Sequence, residues 1–166
     1  MKKIIALFLV CICGLGTLQA QKPIASPRDS VSGKAAGATI SINYGSPSVK
    51  GRKIWGDLVP YGKVWRTGAN EATRFTTDKA ISVEGKQLPA GTYSFFAIPG
   101  EKEWTIIFNK TANQWGAYDY KQADDVLRVA VKPHVASATE EKLKYRVSGN
   151  GFSLLWEKLE VPVSVK

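Results

Sequence analysis

Apolar and polar residues alternate with a period of two in several short segments of this chain, and no long stretch repeats with the period of a helix. In the segment 39–44, Ile40, Ile42 and Tyr44 point to one face and polar residues to the other, a pattern typical of a half-buried strand. The segment 126–132 repeats this alternation. Because no crossover helix separates the strands, the sequence predicts mainly antiparallel pairing.

Turn residues between the apolar segments predict which strands form hairpins. Residues 81–83 are predicted to pair with residues 86–88 across a Glu-Gly turn. The segment 92–98 is apolar on both faces, so we expect it in the centre of a sheet, where it forms a hairpin with residues 104–109.

The last hairpin permits a prediction of register. If Asn150 and Gly151 form a two-residue turn, apolar residues meet on one face and opposite charges on the other. The predicted pairs are Val147 with Leu154, Tyr145 with Trp156, and Lys144 with Glu157.

These patterns predict an all-β domain over residues 35–166, with about nine strands in a mainly antiparallel, jelly-roll-like two-layer β-sandwich. A closed β-barrel is the alternative. Residues 21–34 contain Pro23, Pro27 and several serines and are predicted to be a flexible lead-in. The segment 45–62 is interrupted by glycine and proline too often for a regular strand.

Residues 1–20 have the pattern of a signal peptide. Lys2 and Lys3 precede a continuous apolar run, Ile4–Ile12, and the segment ends on the small residue Ala20. The apolar stretch is shorter than a bilayer span requires. We therefore expect export to the periplasm or outer surface of a bacterium, and a mature chain that has no transmembrane segment. Both cysteines of the chain lie in this leader, so the mature protein would contain no thiol or disulfide.

The charge balance is basic, with 23 Lys and Arg against 14 Asp and Glu and a net charge of +9. A basic exported protein attracts anionic small molecules, glycans or surfaces. No run of five cations occurs, which also fits a solvated, soluble surface. Nucleic acid is not expected as a partner of an exported protein.

Two polar and aromatic segments, Val59–Thr73 and Asn113–Tyr120, are the candidates for a functional site, and we expect them to converge at one rim of the domain. Their mixture of aromatic and charged side chains is costly to bury without partners. The predicted ligand-binding residues are Tyr61, Trp65, Arg66, Asn70, Glu71, Trp115 and Tyr118.

Each of these residues also has a purely structural interpretation. Arg66 could bind an anion with Glu71 holding it in place, or the two could form an ion pair that fixes the loop. Trp65, Trp115 and Tyr118 could stack on a sugar ring or simply belong to the core. An asparagine such as Asn70 often bonds a neighbouring backbone group in a turn.

Enzyme motifs are scarce in this sequence. His134 is the only histidine and no nucleophile motif accompanies it, so a Ser-His-Asp site is not expected. A zinc site requires more His or Cys ligands than the mature chain contains. No cofactor or metal is predicted, and calcium binding at Asp119, Asp124 and Asp125 lacks a recognised ligand spacing. Adjacent Asp124 and Asp125 would point in opposite directions on a strand, so they form a poor catalytic pair.

Six blocks of the sequence, in order, resemble the DUF2911 family of exported bacterial proteins, a domain family of unknown function. The resemblance implies a compact extracytoplasmic β domain and brings no catalytic residue. The blocks are Lys50–Gly56, Val59–Thr73, Leu88–Ser94, Glu103–Asn109, Gln114–Tyr118 and Asp125–Arg128.

Non-catalytic binding of a glycan or small anionic molecule at the rim is the function that these observations favour. One alternative is a hydrolase that uses Glu71 and Asp119 as acid and base, which requires the two carboxyl groups to face each other across an open cleft. Another is a structural module that packs against an envelope protein partner through an exposed apolar patch.

Overall fold

The computed structural model describes residues 25–166, which form ten β-strands and one short 3₁₀ turn. The predicted signal peptide and residues 21–24 lie outside the described residues. The strands are β1 (Arg28–Ala35), β2 (Ala38–Gly45), β3 (Thr73–Thr77), β4 (Ile81–Val83), β5 (Lys86–Leu88), β6 (Gly91–Ile98), β7 (Trp104–Asn109), β8 (Asp125–Val131), β9 (His134–Ser148) and β10 (Gly151–Ser164), with the 3₁₀ turn at Gln122–Asp124.

The prediction of an all-β, antiparallel sandwich is confirmed. Six strands form one sheet in the order β1-β2-β3-β6-β7-β8, and β9–β10 and β4–β5 form separate hairpins. The order of the large sheet is that of a meander rather than of a jelly roll. None of these sheets closes, so the barrel alternative is wrong. The β9–β10 hairpin covers one face of the large sheet, and the phenyl rings of Phe152 and Phe75 meet there at 5.1 Å.

The core follows the predicted alternation. Ile40, Ile42 and Tyr44 on β2 are buried, and β8 buries Leu127, Val129 and Val131 in the same way. As predicted, β6 lies inside the sheet between β3 and β7. Residues 81–83 pair with residues 86–88 in the predicted register. Within residues 25–166 no helix is long and apolar enough to cross a membrane.

The flexible lead-in was predicted wrongly over residues 28–34. These residues form most of β1, which pairs with β2 from Arg28 opposite Gly45 to Ala35 opposite Ala38. Most side chains of β1 are exposed, so its sequence carries almost no apolar signal. The strand is held by backbone hydrogen bonds to its neighbour, which any side chain permits.

The register predicted for the last hairpin is also wrong, because the turn lies one residue earlier in the chain than predicted. The turn residues are Gly149 and Asn150, and the pairs are Phe152 with Val147 and Leu154 with Tyr145. Gly151 serves packing instead: a Cβ on it would lie 2.1 Å from the carbonyl oxygen of Val163. Moving the turn by one residue shifts the pairing by two, which leaves every side chain on the same face. The alternation of apolar residues therefore could not distinguish the two registers.

Candidate functional site

Residues 46–72, the long irregular connection between β2 and β3, form the first part of the candidate site. Trp65 pairs with Ala97 through two backbone hydrogen bonds of 2.8 and 2.9 Å, which fasten the connection to the end of β6. Farther along, the backbone of Ala69 crosses β2 so closely that a Cβ on Gly45 would lie 2.1 Å from the Ala69 carbonyl oxygen. Glycine is required at this crossing.

The two segments predicted to converge do so. Glu71 lies opposite Trp115 in an isolated antiparallel bridge. Hydrogen bonds on either side extend this pairing: the Ala72 amide donates to the Gln114 carbonyl at 3.0 Å, and the Gly116 amide donates to the Asn70 carbonyl at 3.1 Å. The backbones of both segments thus form one continuous surface.

One side of this junction forms a cavity of about 260 Å³ that we call the arginine cavity. Leu58 and Trp65 give it an apolar face, with the buried Trp156 behind them, and Arg52 and Arg66 are its charged residues. No acidic side chain from the described part of the chain lines it. The full lining is Ser26, Pro47, Arg52, Leu58, Val59, Trp65, Arg66, Gly68, Ala69, Asn70 and Trp156.

The two arginines of the cavity carry positive charge without a neighbouring carboxylate. Arg52 donates from its guanidinium to the backbone carbonyls of Ser48 and Val49. None of the ion pairs among residues 25–166 involves Arg66. Its Nε is buried and has no hydrogen-bond partner. A buried unpaired donor of this kind costs about 1–3 kcal/mol, so the site retains capacity for an acceptor.

Thr67, the residue after Arg66, is held in a strained conformation. Its φ is +53°, a left-handed value that β-branched residues rarely adopt. Three buried hydrogen bonds fix it: its carbonyl accepts from the hydroxyls of Tyr145 at 2.8 Å and Thr73 at 3.1 Å, and its own hydroxyl donates to the Phe95 carbonyl at 2.9 Å. Burial raises the pKa of the Tyr145 phenol, so the hydroxyl remains a donor at neutral pH. Strain maintained in this way is common at binding sites.

On the other side of the junction lies a groove of about 240 Å³, here called the tryptophan groove. Trp115 is 60% exposed, an unusual position for the largest aromatic side chain. Arg74 and Glu71 contribute opposite charges, so the lining is electrically neutral. The lining residues are Glu71, Ala72, Arg74, Ala112, Asn113, Gln114 and Trp115.

Asn109, which is fully buried, supports the tryptophan groove from below. Its amide nitrogen donates to Asp125 Oδ1 at 2.9 Å and to the Lys121 carbonyl at 3.0 Å. Its Oδ1 accepts from Gln114 Nε2, a residue of the groove lining, at 3.1 Å. Gln114 Nε2 also donates to the Thr111 carbonyl, which leaves Gln114 Oε1 as an acceptor without a partner.

The structure separates the seven predicted site residues into three groups. Trp65, Arg66 and Asn70 line the arginine cavity, whereas Glu71 and Trp115 line the tryptophan groove. Tyr61 and Tyr118 line neither. Tyr61 packs beside Gly56, and Tyr118 is 82% exposed beside Gly116.

The ion pair predicted between Arg66 and Glu71 does not form. Glu71 Oε2 instead binds Arg28 Nη1 at 2.9 Å. Partial burial lowers the pKa of the Arg28 guanidinium; the Glu71 charge opposes this shift and nearby Arg74 adds to it. The prediction failed because Arg28 lies in the segment that was expected to have no structure.

Trp65 takes the core role, one of the two alternatives predicted for it. It belongs to a cluster of four tryptophans, in which its ring stacks on Trp156 at 6.0 Å and meets Trp55 edge-on at 5.8 Å. It also lines the arginine cavity, so only part of its surface is available to a ligand. Asn70 has a left-handed φ of +62°, and its amide donates at 3.2 Å to the carbonyl of Ser26, a residue distant in the chain rather than the neighbouring backbone group that was predicted.

The acidic residues considered for catalysis occupy separate positions. Asp119 is exposed and lines neither the cavity nor the groove. Asp124 binds Lys110 at 3.1 Å, and Asp125 binds Arg128 at 2.8 Å and the Tyr120 hydroxyl at 2.6 Å. Among residues 25–166, no group of three or more His, Cys, Asp or Glu side chains is arranged to hold a metal ion.

Sequence reasoning missed three arginines of the site. Arg52 lines the arginine cavity, Arg74 lines the tryptophan groove, and Arg28 holds Glu71. Arg74 lies on β3, where a polar residue between two buried ones is ordinary, so nothing in its local sequence marks it. Arg52 had a usable signal, because it lies in an irregular segment with two neighbouring glycines.

A family model described as "Protein of unknown function (DUF2911)" matches residues 26–165, nearly the whole chain. No curated protein and no solved structure matches the chain.

Proposed function

Because the chain belongs to the DUF2911 family, which has no known function, we propose one from the geometry: it is an exported, non-catalytic domain that binds a small anionic molecule in the arginine cavity. The observation that carries this proposal is the charge of the cavity. Two arginines line it, and no acidic residue of the described chain does.

The shape and chemistry of the cavity narrow the ligand class. Leu58 and Trp65 offer an apolar face beside the two arginines. Pockets that enclose drug-sized ligands measure roughly 300–1,000 Å³, so a cavity of this size suits a smaller molecule. A carboxylate or phosphonate attached to a flat apolar body matches both the apolar face and the arginines, since guanidinium groups bind such anions through paired hydrogen bonds.

The local backbone supports the same proposal. Thr67 is held at a left-handed φ by three buried hydrogen bonds directly after Arg66. This arrangement fixes the position from which the Arg66 side chain projects. A preorganised cation loses less entropy when the ligand binds than a mobile surface arginine would.

Export rests on residues 1–20 and their signal-peptide pattern. If the full chain is produced in a bacterium, we expect the exported protein to begin at Gln21. Mass spectrometry of the intact secreted or periplasmic protein measures this, and full-length chain retained in the cytoplasm would contradict export.

The binding experiment compares an acid with its neutral amide. Titration calorimetry with indole-3-acetate and with indole-3-acetamide separates the charge contribution from that of the apolar body. We expect the acid to bind and the amide to bind at least about tenfold more weakly, since a hydrogen bond to a charged group contributes about 1.5–3 kcal/mol. Equal binding of acid and amide would overturn the proposal, as would no binding by any of a panel of aryl carboxylates, phosphonates and sulfonates.

Matched arginine and lysine variants locate the site. Arg66→Gln and Arg52→Gln should each weaken indole-3-acetate binding by about tenfold or more. Lys53→Gln removes the same charge next to Arg52, but from a side chain that does not line the cavity. The indole-3-acetate affinity of this variant should therefore stay close to that of the wild type. If all three variants lose affinity equally, the effect is one of net charge and the cavity is not the site.

A further inference from the structure

The geometry points to a second binding site in the tryptophan groove, and we propose that it binds a neutral sugar ring. This inference is independent of the proposed function, because no residue lines both the groove and the arginine cavity.

The exposed indole of Trp115 is the first argument. The other four tryptophans, Trp55, Trp65, Trp104 and Trp156, pack against one another in a single cluster. Trp115 lies outside the cluster with 60% of its surface exposed. A flat apolar face of this size gains about 25 cal/mol for each Å² that a ligand covers. The carbon-bound hydrogens on one face of a pyranose ring provide a matching flat apolar surface.

Trp115 is also held in place. Its backbone bridges Glu71, and the flanking residues Gln114 and Gly116 each form a hydrogen bond across the same junction. Gln114 is in turn fixed by Asn109 and by the Thr111 carbonyl. An aromatic side chain on a fixed backbone binds a ring with a smaller entropy cost than one on a mobile loop.

The polar groups of the groove supply donors and acceptors together. Asn113 Oδ1 accepts from Arg74 Nη1 at 3.2 Å, which leaves the Asn113 amide nitrogen available as a donor. Glu71 Oε2 is bound to Arg28, which leaves Oε1 available as an acceptor. Sugar hydroxyls both donate and accept, so they can use both kinds of group.

The balance of charge distinguishes this ligand from that of the arginine cavity. Arg74 and Glu71 are the charged residues of the groove lining, and Arg28 pairs with Glu71 from outside the lining. An anion in the groove would meet the Glu71 carboxylate as well as Arg74, whereas a neutral polyol can form hydrogen bonds with both groups. The groove is open and small, so it suits one ring of a longer chain or a free sugar.

The test uses cellotetraose and maltotetraose with ¹⁵N-labelled protein. The indole N–H signal of Trp115, assigned from its loss in Trp115→Phe, should shift on titration with at least one tetraose. If glucose alone produces the same shift, the groove binds a free ring; if only the tetraose does, it binds a chain. Either result supports the proposal. No shift with either tetraose or glucose would overturn it.

Three variants make the test specific. Trp115→Ala should weaken sugar binding by at least about tenfold, and Trp115→Phe should retain part of the affinity because it keeps a smaller aromatic face. Tyr118→Ala removes the other highly exposed aromatic side chain, which lies outside the groove, and should bind like the wild type. Wild-type affinity in Trp115→Ala would contradict the proposal.

Titration of the same variants with indole-3-acetate keeps the two proposals apart. If sugar binding fails while acid binding persists, only the sugar site is wrong. If acid binding fails while the Trp115 signal still responds to sugar, the sugar site stands and the proposed function falls.

Discussion

The arginine cavity and the tryptophan groove share one backbone junction but are supported in different ways. Behind the cavity, Tyr145 and Thr73 donate to the carbonyl of Thr67 and hold a strained backbone. Behind the groove, Asn109 and Gln114 form a network of side-chain amides. The cavity is thus fixed through its main chain and the groove through its side chains.

This difference has a consequence for ligand chemistry. Fixing the main chain at Thr67 positions a long cation, Arg66, whose Nε is buried without a partner. The bonds of Gln114 use its amide donors internally, and the backbone of the neighbouring Trp115 is held by its bridge to Glu71. The arginine cavity is therefore suited to an anion, and the tryptophan groove to a flat neutral ring.

The largest expected effect comes from Asn109→Leu, which removes the support of the groove alone. Asn109 is fully buried and donates to Lys121 and Asp125, while its Oδ1 accepts from Gln114 and from the Thr111 amide. Leucine fills the space but leaves several buried partners unpaired, so the free energy of unfolding should fall by about 3–5 kcal/mol. Urea denaturation measures this change.

A matched control for Asn109→Leu is Asn113→Leu in the same connection. Asn113 is exposed and makes one exposed side-chain hydrogen bond, which it accepts from Arg74, so its substitution should cost less than about 0.5 kcal/mol. Where Asn109→Leu still folds, the sugar titration should weaken and the indole-3-acetate titration should not. Equal loss at both sites would show that the two supports are one cooperative unit.

Tyr145→Phe tests the support of the cavity and should have an intermediate effect. The variant removes one buried hydrogen bond to Thr67, so the free energy of unfolding should fall by about 1–2 kcal/mol. Indole-3-acetate affinity should fall by up to about fivefold as the Arg66 backbone relaxes. Tyr93→Phe removes a comparable bond to the Pro89 carbonyl, near the start of β6, and should lower stability without changing affinity.

The raised pKa of Tyr145 also predicts that the free energy of unfolding changes with pH in alkaline solution. Burial raises its pKa in the folded protein above the value of about 10 that the unfolded chain has. The folded state then holds the proton more tightly, so its contribution to stability is complete below pH 10 and is lost as the pH rises above it. The free energy of unfolding should fall less steeply above pH 10 in Tyr145→Phe than in the wild type. Parallel curves for the two proteins would exclude this contribution.

The sequence predicted the layers of the fold better than its edges, for a physical reason. Buried strands such as β6 require apolar residues at fixed positions, and their alternation is visible in the sequence. Strand β1 pairs with β2 through its backbone and carries mostly polar side chains, with only Val31 and Ala35 packing against the core, so it was taken for a flexible segment. The hairpin turn failed similarly, because Gly151 was required for a close contact with Val163 and not for the turn.

In the candidate site, too, features with a local sequence pattern were predicted and those without one were missed. Convergence of the two segments was predicted from their shared composition, and the structure confirms it. The partner of Glu71 was not predictable, because an ion pair between distant strands leaves no local pattern. Only the strand pairing brings Arg28 beside Glu71.

Glu71→Gln should have the smallest effect on stability and bears most directly on the comparison. The Arg28–Glu71 ion pair is partly exposed, with 30% and 54% of the two side chains accessible, and such pairs contribute about 0–1 kcal/mol. The substitution gives the groove a net positive charge while leaving Trp115 in place. Neutral sugar affinity should change by less than about threefold, since an amide still bonds a hydroxyl.

The same variant separates charge from preorganisation. If net charge alone defined an anion site, Glu71→Gln would bind glucuronate at the groove as firmly as the arginine cavity binds indole-3-acetate. We expect only weak binding that disappears at high salt, because the Arg74 charge is exposed to screening and its guanidinium already donates to Asn113. Titrations at low and high ionic strength measure this. Tight, salt-resistant binding would mean that the strained backbone behind Arg66 contributes little to anion recognition.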